Sequence, residues 1–255
     1  MTGADDDALC ACRLRGIGRE KVQKIGYTIK ETRGCFAEGK YVSSLMFITF
    51  EGLDFSGKTT QAQRLAEKLR TVPIPGDHRV RPVRFIREPG GTVISERLRE
   101  ILLDRKNLEL NDIAELMLFS ASRAQLVQQV IRPALARGEH VLSDRYCDST
   151  TAYQGYGRGL DLNAVRQINK FATSGLVPDI SILVDITVDE ILRRKQLAGI
   201  AFDRMESAGR GFYERVRSGY QEIARSEPKR YIVIDGMASI ETVEQEIWKT
   251  LESIK

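Results

Sequence analysis

Residues 47–60, FITFEGLDFSGKTT, leave this chain few folds to choose from. Four of the five residues before Gly52 are apolar or β-branched, the pattern of a short buried strand, and Gly52 then opens the spacing G-x-x-x-x-G-K-T. That is a phosphate-binding loop. Gly52 and Gly57 allow positive φ, so successive N–H groups and the N-terminus of the next helix can point at one anion. Lys58 then reaches the β- and γ-phosphates of a nucleoside triphosphate, and the Thr59 hydroxyl holds Mg²⁺. The helix-prone run QAQRLAEKLR follows directly.

With 255 residues, 42% apolar and 29% charged, the chain has the length and composition of one α/β domain with a sizeable core. The same figures disfavour disordered and membrane classes, and no apolar run is long enough to span a bilayer. The opening MTGADDDALC carries three consecutive aspartates, unlike a secretory or mitochondrial presequence, so a cytoplasmic location is expected. A net charge of +4 is mild, and local arginines for phosphorylated substrates account for it; no nucleic-acid or membrane partner is expected. Cys10, Cys12, Cys35 and Cys147, with only His78 and His140, give no metal-ligand spacing and read as reduced thiols.

Residues 1–45 are rich in glycine and charge without sustained apolar periodicity, and read as an N-terminal extension of uncertain structure. Met46 immediately precedes the first strand, so either it is the natural start or the leader is a real arm; the intact mass of protein made from the native gene separates the two. A helix over 59–70 places Ala62, Leu65 and Leu69 on one face. TVPIPGDHRV is a connection, and VRFI a second strand ending in REPGGT. Helical periodicity covers 92–103 and 111–137, with Pro133 kinking or ending the latter. HVLSD is a third strand ending at Asp144 and Arg145, followed by the polar, glycine-rich YCDSTTAYQGYGRG. A helix over 161–173, the strand SILVDI, helical runs over 187–197 and 211–226 flanking GIAFDRMESAG, the strand YIVID and an amphipathic helix over 239–253 bearing Trp248 complete the chain. This alternation predicts an α/β, three-layer P-loop NTPase fold: a five-stranded parallel sheet with helices on both faces and the ligand at the carboxyl ends of the strands. There is no internal repeat and no second domain.

A P-loop alone fits kinases, GTPases, motors and partition proteins. The N-K-x-D motif of GTPases is absent, as is a strand ending in a Walker B acidic pair. Five segments, GLDFSGKTT, REPGGT, LMLFSASRAQ, SDRYCDSTTAYQGYGRG and AFDRMESAGRGFYERVRSGY, occur instead in a fixed order. On these, residues 46–255 resemble a bacterial-type thymidylate kinase of the P-loop nucleoside-monophosphate kinase superfamily, with a LID at about 198–211. The resemblance implies ATP + dTMP → ADP + dTDP, with Mg²⁺, in dTTP synthesis.

It also implies roles. ATP would lie on Gly52, Asp54, Phe55, Ser56, Gly57, Lys58, Thr59 and Thr60, with Arg193 or Arg194 over adenine. Arg87 and Arg145, just past strand ends, would converge on the acceptor phosphate, and Asp144 would join Thr59 at Mg²⁺ directly or through water. Asp54 resembles a family carboxylate that contacts the deoxyribose 3′-OH, and Glu88 is assigned only to the site region. Phe119 would stack on thymine and Arg123, four residues on and on the same helix face, would bond a base carbonyl. Thr150 would lie near thymine N3, Tyr153 would crowd the 2′ position, and Gln154 would line the same pocket.

One class of the family carries an arginine within the P-loop, where this chain has Phe55; the class it resembles supplies that cation from the LID. Arg193, Arg194, Lys195, Arg204 and Arg210 are available, and Arg204 in FDRME fits best, so Arg204→Ala is expected to lower kcat with little change in dTMP KM. The alternatives are a monophosphate kinase of other specificity, a deoxynucleoside kinase, or a non-enzymatic P-loop ATP sensor. Family members are usually homodimers packed through helices after the second and third strands, and residues 111–130 are apolar enough to allow this.

Overall fold

β1, Phe47–Glu51, is buried at every position and is the central strand of the protein. In the computed structural model, which describes residues 45–199 and 209–253, β1 pairs in parallel with β3 (His140–Asp144) on one side and β4 (Ile180–Asp185) on the other. β2 (Val83–Arg87) joins β3, and β5 (Tyr231–Asp235) joins β4, giving the order β2-β3-β1-β4-β5, all parallel. The direction of winding reverses at β1. The crevice beyond its carboxyl end is therefore where a ligand has room.

Alternation along β1 splits its side chains between two layers. Ile48 and Phe50 meet Ala62, Leu65 and Leu69 of α1 (Lys58–Leu69) and Val243, Ile247 and Leu251 of α9 (Ile240–Ser253). Trp248 closes this layer with Lys68 Nζ 3.7 Å from its ring centroid. Phe47, Thr49 and Glu51 face the opposite layer. There Phe47 packs on the helical rod made of α3 (Asp112–Leu126), a π-helical stretch Val127–Ile131 and α4 (Arg132–Ala136). Pro133 neither ends nor interrupts that rod: the π-helical stretch lies directly before it, in a segment where proline has no N–H to donate.

The polar, glycine-rich segment after β3 is helical and buried. It forms α5 (Cys147–Thr150) and a π-helical stretch Thr151–Gly157, set against α6 (Leu162–Ala172) and α8 (Arg210–Ser226). Its glycines serve close packing: a Cβ on Gly157 would stand 2.7 Å from Phe212 and 2.8 Å from Val216. α2 (Val93–Leu103) and α7 (Val188–Ala198) start on Thr92 and Thr187, whose hydroxyls accept N–H groups of Ser95 and Glu190. Residues 1–44, and so nearly all of the N-terminal extension, lie outside the described residues, as do 200–208 of the LID. No described helix is long and apolar enough to cross a membrane.

Candidate active site

α1 begins differently from α2 and α7. Its N-cap is Gly57 at φ 92°, with no side chain accepting the first-turn N–H groups, so those donors are left for an anion. Before it, Phe55 holds φ 61°, a left-handed conformation that is uncommon for a bulky side chain. Lys58, 6% exposed, donates from Nζ to the Leu53 carbonyl (3.2 Å) and lies 4.0 Å from Asp54 Oδ1. Thr59 donates its hydroxyl to Asp144 Oδ2, while Asp144 Oδ1 is buried without a partner among the described residues. Two hard oxygens thus sit beside the loop.

Arg145 follows β3 at φ 73° and turns back under the P-loop. Nη1 donates to the Gly52 carbonyl (3.0 Å), the Ser149 hydroxyl and the Tyr220 hydroxyl (3.1 Å each), and Nη2 to Asp54 Oδ1 and the Tyr153 hydroxyl (3.1 Å). Tyr153 in turn donates to Asp54 Oδ2 (2.9 Å). Burial would push the Asp54 carboxyl up, but the Arg145 and Lys58 charges and the Tyr153 hydrogen bond outweigh it and hold it below the usual carboxylate range. Burial, reinforced by the Arg145 charge, brings the Lys58 amine down.

Asp54, Lys58, Asp144, Arg145 and Tyr153 open on a cavity of about 370 Å³, the size of a small-molecule site, at the carboxyl ends of β1, β2 and β3. Asp54, Lys58, Thr59, Arg87, Phe119, Arg123, Asp144, Arg145, Thr150, Tyr153 and Gln154 all face it. Arg87 donates to the Pro89 carbonyl and to Glu96 (3.0 Å each). Arg123 is buried and already engaged, donating to Glu88 Oε2 (2.7 Å), Asn169 Oδ1 (3.2 Å) and the Tyr146 carbonyl (3.1 Å). With five N–H donors it keeps two beyond these three bonds. Gln154 donates from Nε2 to Glu115 (2.8 Å), a fully buried carboxylate that also takes Arg158.

Some expected residues lie elsewhere. Thr60 is exposed and off the cavity, Ser56 is buried beneath the loop, and Arg193 points outward at 62% side-chain exposure, paired with Glu190. Arg194 is the one that reaches the P-loop, donating to the carbonyls of Phe55 (3.0 Å) and Gly236 (2.9 Å). Lys195 is buried against Tyr213, not solvated, and Arg210 is held by Asp189 and Glu214. Arg204 lies outside the described residues. Sequence reasoning missed Arg99 and Leu103, which reach the cavity from α2, and Ser149. The only signal for the first two was that their helix follows REPGGT.

A cavity with a P-loop on one side and arginines from two neighbouring strand ends on the other suits two phosphorylated ligands, and a family model for thymidylate kinase matches residues 50–247. The chain belongs to the thymidylate kinase family. It is similar to the thymidylate kinase of Chlorobaculum tepidum, 45% identical over 217 residues that make up 82% of this chain and 98% of that one. It is likewise similar to that of Caldanaerobacter subterraneus subsp. tengcongensis, 44% identical over 81% of this chain and 94% of the relative. The crystal structure of thymidylate kinase from Ehrlichia chaffeensis superimposes with a TM-score of 0.65 at 37% identity, covering 81% of this chain and 98% of that one. Family membership makes this chain a kinase, and the match extends across the P-loop, the arginines and the cavity-lining helices.

Proposed function

We propose that residues 46–255 transfer the γ-phosphoryl group of ATP to dTMP, giving ADP and dTDP, with Mg²⁺. The observation that carries this reading is that Lys58 of the P-loop and Arg87 and Arg145 share one cavity, because two anionic substrates repel until cations on both sides hold them in line. ATP rests its phosphates on the uncapped start of α1 and on Lys58, with adenine toward Arg194, whose bonds to Phe55 and Gly236 support that side. The acceptor phosphate lies between Arg145 and Arg87, and the deoxyribose 3′-OH faces Asp54. Phe119 covers thymine, Arg123 offers its remaining N–H groups to a base carbonyl, and Thr150, Tyr153 and Gln154 close the pocket.

Thr59 and the unpartnered Asp144 Oδ1 suit Mg²⁺, which takes one or two protein oxygens and leaves the rest to phosphates and water. When bound, Mg²⁺ neutralises phosphate charge at the transferring group. Its chemistry does not need three protein ligands, and no such cluster exists among the described residues.

A coupled ADP-release assay with ATP and Mg²⁺ against dTMP, dUMP, dCMP, AMP and thymidine tests the proposal. Strong preference for dTMP is expected, with some dUMP turnover, because one methyl group in an apolar pocket is worth only about 1–3 kcal/mol. Preference for another monophosphate would discard the thymine pocket; no turnover in folded protein would favour an ATP sensor. The exposed Val93, Ile94 and Ile101 of α2 and Ile113 and Met117 of α3 support homodimerisation through these helices. A monomer mass in sedimentation at micromolar concentration would remove that part.

A further inference from the structure

Beneath the cavity lies a carboxylate that the reaction does not touch. Glu51 ends β1, is fully shielded from solvent and does not line the cavity. Its Oε1 accepts the Tyr146 N–H (2.8 Å), and its Oε2 accepts the hydroxyls of Ser149 (2.6 Å) and Tyr220 (3.2 Å). Those two hydroxyls are the ones that Arg145 Nη1 approaches at 3.1 Å. A guanidinium can only donate, so the two hydroxyl oxygens share the two Nη1 hydrogens with the Gly52 carbonyl as acceptors, and the hydroxyl hydrogens must point elsewhere. Glu51 Oε2 is the acceptor within reach of both. Ser149 and Tyr220 also stand 2.8 Å apart, so neither can turn its hydrogen freely.

We propose that Glu51 and Tyr220 are positioning residues for Arg145: the carboxylate orients the two hydroxyls, and their oxygens fix the plane of the guanidinium that receives the acceptor phosphate. This rests on the reading of Arg145 as a phosphate ligand. Tyr220 comes from α8 and, like Glu51, lies outside the cavity. Its ring meets that of Tyr153 edge-on at 6.2 Å, and Tyr153 holds Arg145 from the other terminal nitrogen. Apolar side chains of similar volume would fill this space without desolvating a carboxylate. The network is accounted for by what it does to the arginine.

The test compares ligands that differ only in the phosphate. Calorimetric Kd values for dTMP and thymidine, and KM for ATP, are measured at pH 9, where the Glu51 carboxyl is ionised, for wild type, Tyr220→Phe and Glu51→Gln. In Glu51→Gln the amide nitrogen must face either the Tyr146 N–H or the two hydroxyls, so a donor meets a donor or the hydroxyls turn toward Arg145. Each variant is expected to weaken dTMP binding about five- to twentyfold, as for loss of one hydrogen bond to a charged group, with thymidine Kd and ATP KM within about twofold. Equal losses for dTMP and thymidine would reduce the network to support of the fold. Unchanged dTMP binding in folded Tyr220→Phe would remove the role; that variant deletes one oxygen and decides the matter if Glu51→Gln does not fold. Wild-type protein that binds dTMP no better than thymidine would instead overturn the phosphate reading of Arg145 itself.

Discussion

Arg145 and Arg87 line the same cavity and are held in opposite ways. The Arg145 side chain is 15% exposed and bonded to five groups from three parts of the chain. That of Arg87 is 44% exposed and holds Glu96, itself 41% exposed, and a carbonyl of its own turn. An arginine carries about 2 kcal/mol of rotamer entropy, so a guanidinium already fixed loses little when a phosphate arrives, whereas a free-standing one must be ordered. Equal charge therefore does not mean equal function: Arg145 is a preorganised wall, and Arg87 an adaptable arm open to solvent and salt.

The sharpest way to break this comparison is Arg145→Lys. Lysine keeps the charge, but one ammonium cannot serve five acceptors spread around a planar fork, and Asp54 loses its partner. kcat/KM for dTMP is expected to fall about 10²- to 10³-fold and stability by roughly 3 kcal/mol. Steady-state kinetics and urea denaturation report the two numbers. A loss below about a hundredfold with unchanged stability would put Arg145 in the same class as Arg87.

Arg87→Ala is the complementary change. It is expected to lower kcat/KM about 10- to 100-fold through dTMP KM while stability stays within about 1 kcal/mol, because an exposed ion pair contributes little to the fold. The salt dependence of dTMP binding should weaken in this variant, since screening acts most on exposed charges. A stability loss as large as that of Arg145→Lys would contradict the distinction.

The contrast also marks how far the sequence could be read. The P-loop was legible because its function is written in local backbone freedom, in Gly52, Gly57 and the lysine and threonine that follow them. Arg87 and Arg145 were legible because each ends a short apolar strand. What orders Arg145 was not. Tyr220 lies 75 residues from it, and Glu51 reads in sequence as a strand-end residue like any other; only the parallel pairing of β1 with β3 brings it under Tyr146 and Ser149. Residues 147–157 gave no helical signal for a related reason. Glycine and small polar residues ordinarily mean a loop, and here they let two helices approach, as Gly157 does against Phe212 and Gly219 against Tyr156. Arg193 and Arg194 are adjacent in sequence, and helix phase alone sent one outward and the other to the P-loop.

A last measurement separates the buried side of the cavity from the exposed side by pH. Burial, and then the Asp148 charge, push Glu51 up from 4.5 to about 8, against the Ser149 and Tyr146 hydrogen bonds and the Arg145 charge, which pull it down. Lys58 and Tyr231 also feel its charge, from α1 and β5. A raised carboxyl binds a proton in the folded state that the unfolded chain has already released, so its contribution is complete below pH 4.5, falls as pH rises and is gone above about 8. Within that window stability should drop by up to about 1.4 kcal/mol per pH unit. Asp54 has the opposite sign, its lowered carboxyl contributing stability that is lost only as pH falls below the ordinary carboxylate range, outside this window. Urea denaturation at pH 5, 6, 7 and 8 on wild type and Glu51→Gln isolates the residue, because Glu88, raised by burial, and His140, lowered by burial, titrate in both proteins. The steeper wild-type decline should vanish in Glu51→Gln and persist in Arg87→Ala. If Glu51→Gln keeps the full slope, the proton belongs to another group, and the Arg145 side of the cavity titrates no differently from the Arg87 side.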